Sequence, residues 1–370
     1  MPRIGNKWDQ RIDRARELAA AYPFSAEILL FYSKLTAFQK STYLQFQSSG
    51  GLLKKAVEGG GFSPAAPIRS TEIFENVGAR FFGGAEAPPF SSLPTALDEV
   101  DLGVLVPRRG PFLSMVASEG PASLAEFARS LSARDPGSWT ELLRAAWPEG
   151  RSVSAGAGQH RSTPSKITPP CHSEERSDEE SASEGEEKQM LLPHLRDQHD
   201  RREDFDRDTS GQAARAPRQL SHFECFCAQA FLQPYAELLA DQADMPTLAV
   251  RRPTCPFCGS PPLVGVLRQE GDGAKRSLVC SFCRTEWDYL RIACPACEES
   301  REEKLRVYTT SAFDCVRVDA CETCRAYIKT IDLTQNGLAV PEVDELATTP
   351  LSLWAGEQGY KKVTGNIIGL

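Results

Sequence analysis

Eight of the twelve cysteines in this chain of 370 residues form four Cys-x-x-Cys pairs within one seventy-residue stretch. They are Cys255/Cys258, Cys280/Cys283, Cys294/Cys297 and Cys321/Cys324. A Cys-x-x-Cys turn aims two sulfurs at one point, and two such turns complete a tetrahedron around a metal ion. Four pairs therefore predict two closed four-cysteine sites. Twenty-one residues separate the pairs of the first unit and twenty-three those of the second. Such a gap fits a hairpin that folds one turn back over the other, as in zinc ribbons and rubredoxin-like knuckles. The simplest grouping is sequential: Cys255, Cys258, Cys280 and Cys283, then Cys294, Cys297, Cys321 and Cys324. A crossed grouping of the first turn with the third stays open.

The flanking residues have mechanical reasons to be there. Pro256 and Pro295 follow the first cysteine of their turns and pre-set a tight bend. Gly259 follows a second cysteine, where a positive φ is expected. LVGVL and SLVC predict strands in the first unit, and VYTT and VRVD predict them in the second. Four thiolates suit zinc, which would only fold the domain, or iron, which would also change oxidation state. Neither unit leaves an open coordination position, so hydrolytic metal chemistry is disfavoured. A structural zinc site contributes on the order of 10–16 kcal/mol, enough to dominate a small core.

The remaining cysteines do not extend this pattern. Cys315 reads as a small buried residue, and Cys225 and Cys227 as diverging thiols on a helix. Cys171 and His172 lie in a low-complexity segment with no second ligand pair nearby. His160, His194 and His199 share that segment, leaving His222 in a plausible folded element. No serine–histidine–acid set, P-loop or dinucleotide fingerprint stands out, so no catalytic residue is assigned and no enzyme is expected.

The elements that must carry the turns follow from periodicity. Residues 7–47 place apolar side chains at helical intervals, with a break at Pro23. Residues 84–112 are rich in Pro and Gly and predict an irregular connection. Helices are expected at 122–133, 139–147 and 222–243, the last with Phe226, Phe231, Tyr235, Leu238 and Leu239 on one face. A short helix is expected at about 343–358. The expected organisation is α+β: an all-α N-terminal domain (1–150 plus 219–248) and two tandem rubredoxin-like or zinc-ribbon-like modules (249–290 and 291–335), closed by a helical segment (336–370). Residues 151–218, with HSEERSDEESASEGEEK at their extreme, carry too little apolar surface to offset ordering entropy and predict a disordered insertion. Deleting 160–210 is therefore expected to leave solubility and metal content unchanged, as elemental analysis of the shortened protein would check.

Charge narrows the partners. The net charge is −8, and residues 251–330 hold thirteen Lys/Arg against eleven Asp/Glu, so a basic footprint for nucleic acid is missing. No apolar run reaches the roughly 18–20 residues of a bilayer span, and the N-terminus lacks secretory character. Paired cysteines without an export signal point to metal in a reducing compartment rather than disulfides.

The motifs CPFCGSPP, LVCSFCRTEWDYLRIACPAC, CETCRAYIKTID and PEVDELATTPLSLWAGEQGY closely resemble the formate dehydrogenase accessory protein family FdhE, across about 250–370. The helical part, with AEILLFYSKLTAFQ, is compatible with it. The resemblance implies a cytoplasmic maturation factor that contacts the catalytic subunit of formate dehydrogenase before export. It also implies iron, with zinc as the alternative, held in a rubredoxin-like manner by the same eight cysteines. Two departures stand out: Val343 replaces an acidic residue before Asp344 and Glu345, and the insertion lies outside the family pattern. The rival readings are a rubredoxin-like electron carrier and a zinc-ribbon nucleic-acid-binding protein.

Overall fold

The structure, a computed structural model, describes residues 5–48, 105–147, 220–243 and 252–366. The insertion expected at 151–218, with Cys171 and the four histidines within it, lies outside the described residues.

Helix α1 (Gly5–Ala21) and helix α2 (Ala26–Ser48) are separated by a short 3-10 turn that opens at Pro23. A second 3-10 turn, Val106–Arg108, leads directly into α3 (Arg109–Glu119). This corrects the expected irregular connection at 84–112, of which 105–112 is helical. Pro107 and Pro111 sit in first turns, where the N–H that proline lacks would have no helical partner anyway. Helix α4 (Ala122–Ser132) is followed by α5 (Pro136–Ala146), whose start is capped by Asp135 accepting from the Ser138 N–H. Helix α6 (His222–Gln242) begins with a reciprocal capping box between Ser221 and Glu224.

Helix α6 is the axis of the helical region. Phe226, Phe231, Tyr235 and Leu238 are buried, and Ala228, Ala230, Leu232 and Ala236 on its other sides are buried too. It packs on α2 and α5. Phe112 and Trp139 meet Phe231 edge-on, with ring centroids 5.4 and 5.1 Å apart.

The cysteine-rich half builds one sheet from two hairpin units. Strands β1 (Pro262–Glu270), β2 (Gly273–Cys280) and β3 (Glu286–Asp288) pair antiparallel in sequence order. Strands β4 (Leu305–Tyr308), β5 (Val316–Cys321) and β6 (Ala326–Asp332) do the same. The units are fused by parallel pairing of β1 with β6, giving the order β3-β2-β1-β6-β5-β4. A two-residue strand, β7 (Lys361–Lys362), adds to the start of β6.

Gly265 sits at the fusion point, opposite Thr330. A Cβ there would lie 2.4 Å from the Thr330 hydroxyl oxygen. That hydroxyl is already committed to Asp319 at 2.8 Å, so it cannot turn away without loss. Gly265→Ala is expected to destabilise the protein by about 1–3 kcal/mol through overpacking. The urea midpoint measures it.

The chain closes with α7 (Pro341–Ala347) and α8 (Thr349–Glu357). A single helix over 343–358 is thus corrected to two, broken at Thr348. Pro350 lacks the N–H that would continue the ladder and its ring crowds the preceding turn.

Buried ion pairs fasten this end to the start of the chain. The Arg11 guanidinium of α1 donates to Glu237 of α6 at 2.9 and 3.0 Å and to Glu342 of α7. Arg14 holds Asp344 in a two-pronged contact at 2.6 and 3.0 Å. Glu345 is fully buried and meets Lys329 of β6 at 2.9 Å, with Lys362 of β7 beside it. No described helix is long and apolar enough to cross a membrane.

Candidate metal centres

Each centre is made of two turns, and the turns draw on two shared backbone bonds. The N–H of the first cysteine donates to the carbonyl five residues on: Cys255 to Ser260, Cys280 to Thr285 and Cys294 to Glu299, at 2.8–2.9 Å. The residue after the second cysteine returns a bond to the first cysteine's carbonyl, as Gly259, Glu298 and Arg325 do at 2.9 Å. That residue must take a positive φ: 73° at Gly259, 58° at Arg284, 60° at Glu298 and 58° at Arg325. Glycine marks only one of the four positions, so only one was legible beforehand. The other three carry side chains in a conformation that disfavours them, which the closed turn enforces.

The eight sulfurs gather sequentially. Cys255, Cys258, Cys280 and Cys283 form one set and Cys294, Cys297, Cys321 and Cys324 the other, with all sulfurs of a set within 4.8 Å of one another. The closest approaches are 3.4 Å (Cys258–Cys280) and 3.6 Å (Cys255–Cys283) in the first. In the second they are 3.6 Å (Cys294–Cys324) and 3.7 Å (Cys297–Cys321). A tetrahedron with metal–sulfur bonds of about 2.3 Å has an edge of roughly 3.8 Å, whereas a disulfide needs about 2.05 Å. The separations fit four ligands sharing an ion and do not fit bridges.

Backbone donors converge on these sulfurs. The Phe282 N–H lies 3.3 Å from Cys280 Sγ and the Ala296 N–H 3.4 Å from Cys294 Sγ. The Thr285 hydroxyl lies 3.1 Å from Cys283 Sγ. Burial works the other way. It pushes the Cys280 and Cys283 thiols well above the usual range, and Cys294, Cys297 and Cys324 up to about 11. Cys258 is held well below it by hydrogen bonds from the Cys255, Cys280 and Cys283 sulfurs. At Cys321 burial is outweighed by the N–H groups of Cys324 and Thr323, and the thiol is lowered. Four ionised sulfurs at such distances need a cation between them, and a set of sulfur donors alone suits zinc or iron.

The two centres differ in surroundings. All four sulfur-bearing residues of the first are buried, at 5% exposure or less. They belong to the same apolar cluster as the helical region, with Trp147 edge-on against Phe282 at 5.8 Å. In the second, Cys294 and Cys321 are buried but Cys297 and Cys324 are exposed. The Glu299 carboxylate spans its two turns, accepting from Thr323 at 2.7 Å and from Arg301.

A polar girder joins the centres. Arg276 of β2 donates to the Ala293 carbonyl at 2.9 Å and lies 3.1 Å from Asp319 of β5. The Tyr289 hydroxyl donates to the Cys294 carbonyl at 3.1 Å. Sequence reasoning missed these residues. Their only advance signal would have been charged or hydroxylated residues inside otherwise apolar strands.

Cys227 packs in the helical core, where burial pushes its thiol up to about 12, and Cys225 and Cys315 are half-buried. None joins a ligand set among the described residues. His222 is exposed at the start of α6.

A helical region followed by a sheet with two four-cysteine sets defines an α+β protein with two candidate closed metal centres. Residues 254–291 match the family described as "FdhE, central domain" and residues 292–368 match "FdhE, C-terminal domain". Residues 254–368 therefore resemble these two FdhE domains along their whole length. A "Protein FdhE homolog" of Aquifex aeolicus is 38% identical over 141 residues, which is 38% of this chain and 50% of the relative. One of Pseudomonas aeruginosa is 35% identical over 125 residues, 32% of this chain and 40% of the relative. The chain thus spans about half the length, or less, of these curated relatives. Its fold is also that of "The crystal structure of the FdhE protein from Pseudomonas aeruginosa", with a TM-score of 0.53 at 16% identity, covering 100% of this chain and 97% of that one.

Proposed function

We propose that this protein is a cytoplasmic accessory factor for the maturation of formate dehydrogenase, that it binds the catalytic subunit, and that it holds one ion in each four-cysteine set. The ligands are Cys255, Cys258, Cys280 and Cys283, and Cys294, Cys297, Cys321 and Cys324. The observation that carries this reading is the gathering of eight sulfurs, within the matched FdhE domains, at separations suited to a shared ion. Iron is the preferred ion. When bound it would supply one-electron chemistry, whereas zinc would supply only cohesion.

The residues themselves do three things in this reading. The turns hold four sulfurs at a fixed spacing. The backbone N–H groups favour their ionised form. The buried ion pairs between α1, α6 and α7 hold the helical region against the sheet, so one rigid surface is offered to a partner. No residue is assigned a catalytic role. Asp344 and Glu345 are buried and already paired, so they act in cohesion rather than in partner contact.

The test is capture. Tagged protein purified anaerobically should retain the formate dehydrogenase catalytic subunit and contain close to two ions per chain, with a thiolate charge-transfer colour if iron is bound. Failure to retain any subunit overturns the accessory reading. The electron-carrier reading is favoured by one observation, the exposed edge of the second centre at Cys297 and Cys324. A reversible one-electron bleaching without subunit capture would select it.

A further inference from the structure

We propose that the two centres divide the work: the second exchanges its ion with soluble thiols through Cys297 and Cys324, and the first keeps its ion until the fold opens. This rests on the reading that both sets bind metal.

The argument is one of access. Ligand exchange at a closed four-sulfur site needs an incoming donor to reach the ion as a sulfur leaves. At the first centre no sulfur-bearing residue is exposed. Phe257 and Phe282, both buried, occupy the inner positions of its turns, and Trp147 of the helical region lies against Phe282. An entering thiol would have to displace that apolar contact and separate the helical region from the sheet.

The second centre is built differently from the same turn. The corresponding inner positions are Ala296 and Thr323, and both are exposed. No helix covers them among the described residues. The second cysteine of each turn faces solvent while the first stays buried, so Cys294 and Cys321 can anchor an ion as the outer pair is replaced. The Glu299–Thr323 contact ties the turns on this same outer side, which keeps the apo centre in shape for reloading.

The step is a ligand substitution. Cys297 or Cys324 would give up its place at the ion to the sulfur of an incoming thiol, and the proton that thiol loses would pass through water to the freed cysteine sulfur. No electrons move and the ion keeps its charge. Such a centre can pass an ion to a thiol-bearing acceptor, and the first centre cannot do so without unfolding locally.

The experiment uses the full chain loaded with zinc and exposed to millimolar glutathione and the chromogenic chelator 4-(2-pyridylazo)resorcinol. Aliquots are quenched with iodoacetamide and mapped by mass spectrometry. One equivalent should leave at least about tenfold faster than the other. Labelling should reach Cys297 and Cys324 first. Cys297→Ser should remove the fast equivalent and leave the slow one. Two equivalents leaving together, or Cys255 and Cys283 labelled first, overturns the division while leaving metal binding intact. A protein that binds no zinc before glutathione is added overturns both. The labelling order needs no variant, so a misfolded Cys297→Ser would not mask the result.

Discussion

Cys258→Ser is expected to empty the first centre and to unfold the module that carries it. The position is 5% exposed and its sulfur lies 3.4 Å from that of Cys280. Serine offers a poor ligand for a soft site, and the remaining three thiols would be left in an apolar cluster without a cation. A structural zinc site is worth on the order of 10–16 kcal/mol. Whole domains are typically stable by about 5–15 kcal/mol, so the loss is comparable to everything else that holds the fold. The damage should spread into the helical region, because Phe257, Phe282 and Trp147 share one core with α6. The measurement is limited proteolysis with metal analysis: one ion lost, and new cleavage within 252–290. Unchanged protease resistance would refute the role of this centre in folding.

Glu345→Gln should have the next largest effect. The carboxylate is 0% exposed and lies between two ammonium groups, Lys329 at 2.9 Å and Lys362. Removing its charge leaves the fully buried Lys329 with only carbonyl and hydroxyl oxygens of residues 345 and 348 as partners. Breaking one side of a buried pair costs about 3–5 kcal/mol. The same group sets an acid limit. Burial disfavours its charged form, but the two lysines overcome this and hold its carboxyl at about 2, against an ordinary value of 4.5. A depressed carboxyl stabilises the fold in full above its unfolded value. That contribution, about 3 kcal/mol by linkage, therefore drains away as the pH falls from 4.5 towards 2. Urea unfolding of both proteins across that range should show the gap between them closing, since below it the native side chain is protonated too.

The cysteine-rich half was legible because its determinants are local. Four turns announce themselves by cysteine spacing, and Pro256, Pro295 and Gly259 by backbone preference. The helices were legible from apolar periodicity, apart from α3, where Pro107 and Pro111 read as loop residues although they occupy first turns. What stayed hidden was the relation between parts. Nothing in a single sequence says that Gly265 faces Thr330, or that Arg14 finds Asp344. These contacts depend on strands and helices meeting after each has formed. The difference between the two centres was hidden for the same reason. The inner residues differ in the sequence, Phe257 and Phe282 against Ala296 and Thr323, but that Trp147 covers Phe282 while the second centre stays open is a matter of packing.

The ion pairs of Arg11 and Arg14 link residues 331 and 330 positions apart. Contacts of such separation form late, since long stretches of chain must be restrained before they reward the search. During synthesis α1 would therefore wait for α7, with Arg11 and Arg14, buried in the finished fold, still in water. The hairpin turns, by contrast, close over some twenty residues. On the proposed reading, metal capture can thus precede docking of α1, and the supply of ions during translation would act as a checkpoint on whether the helical half is completed.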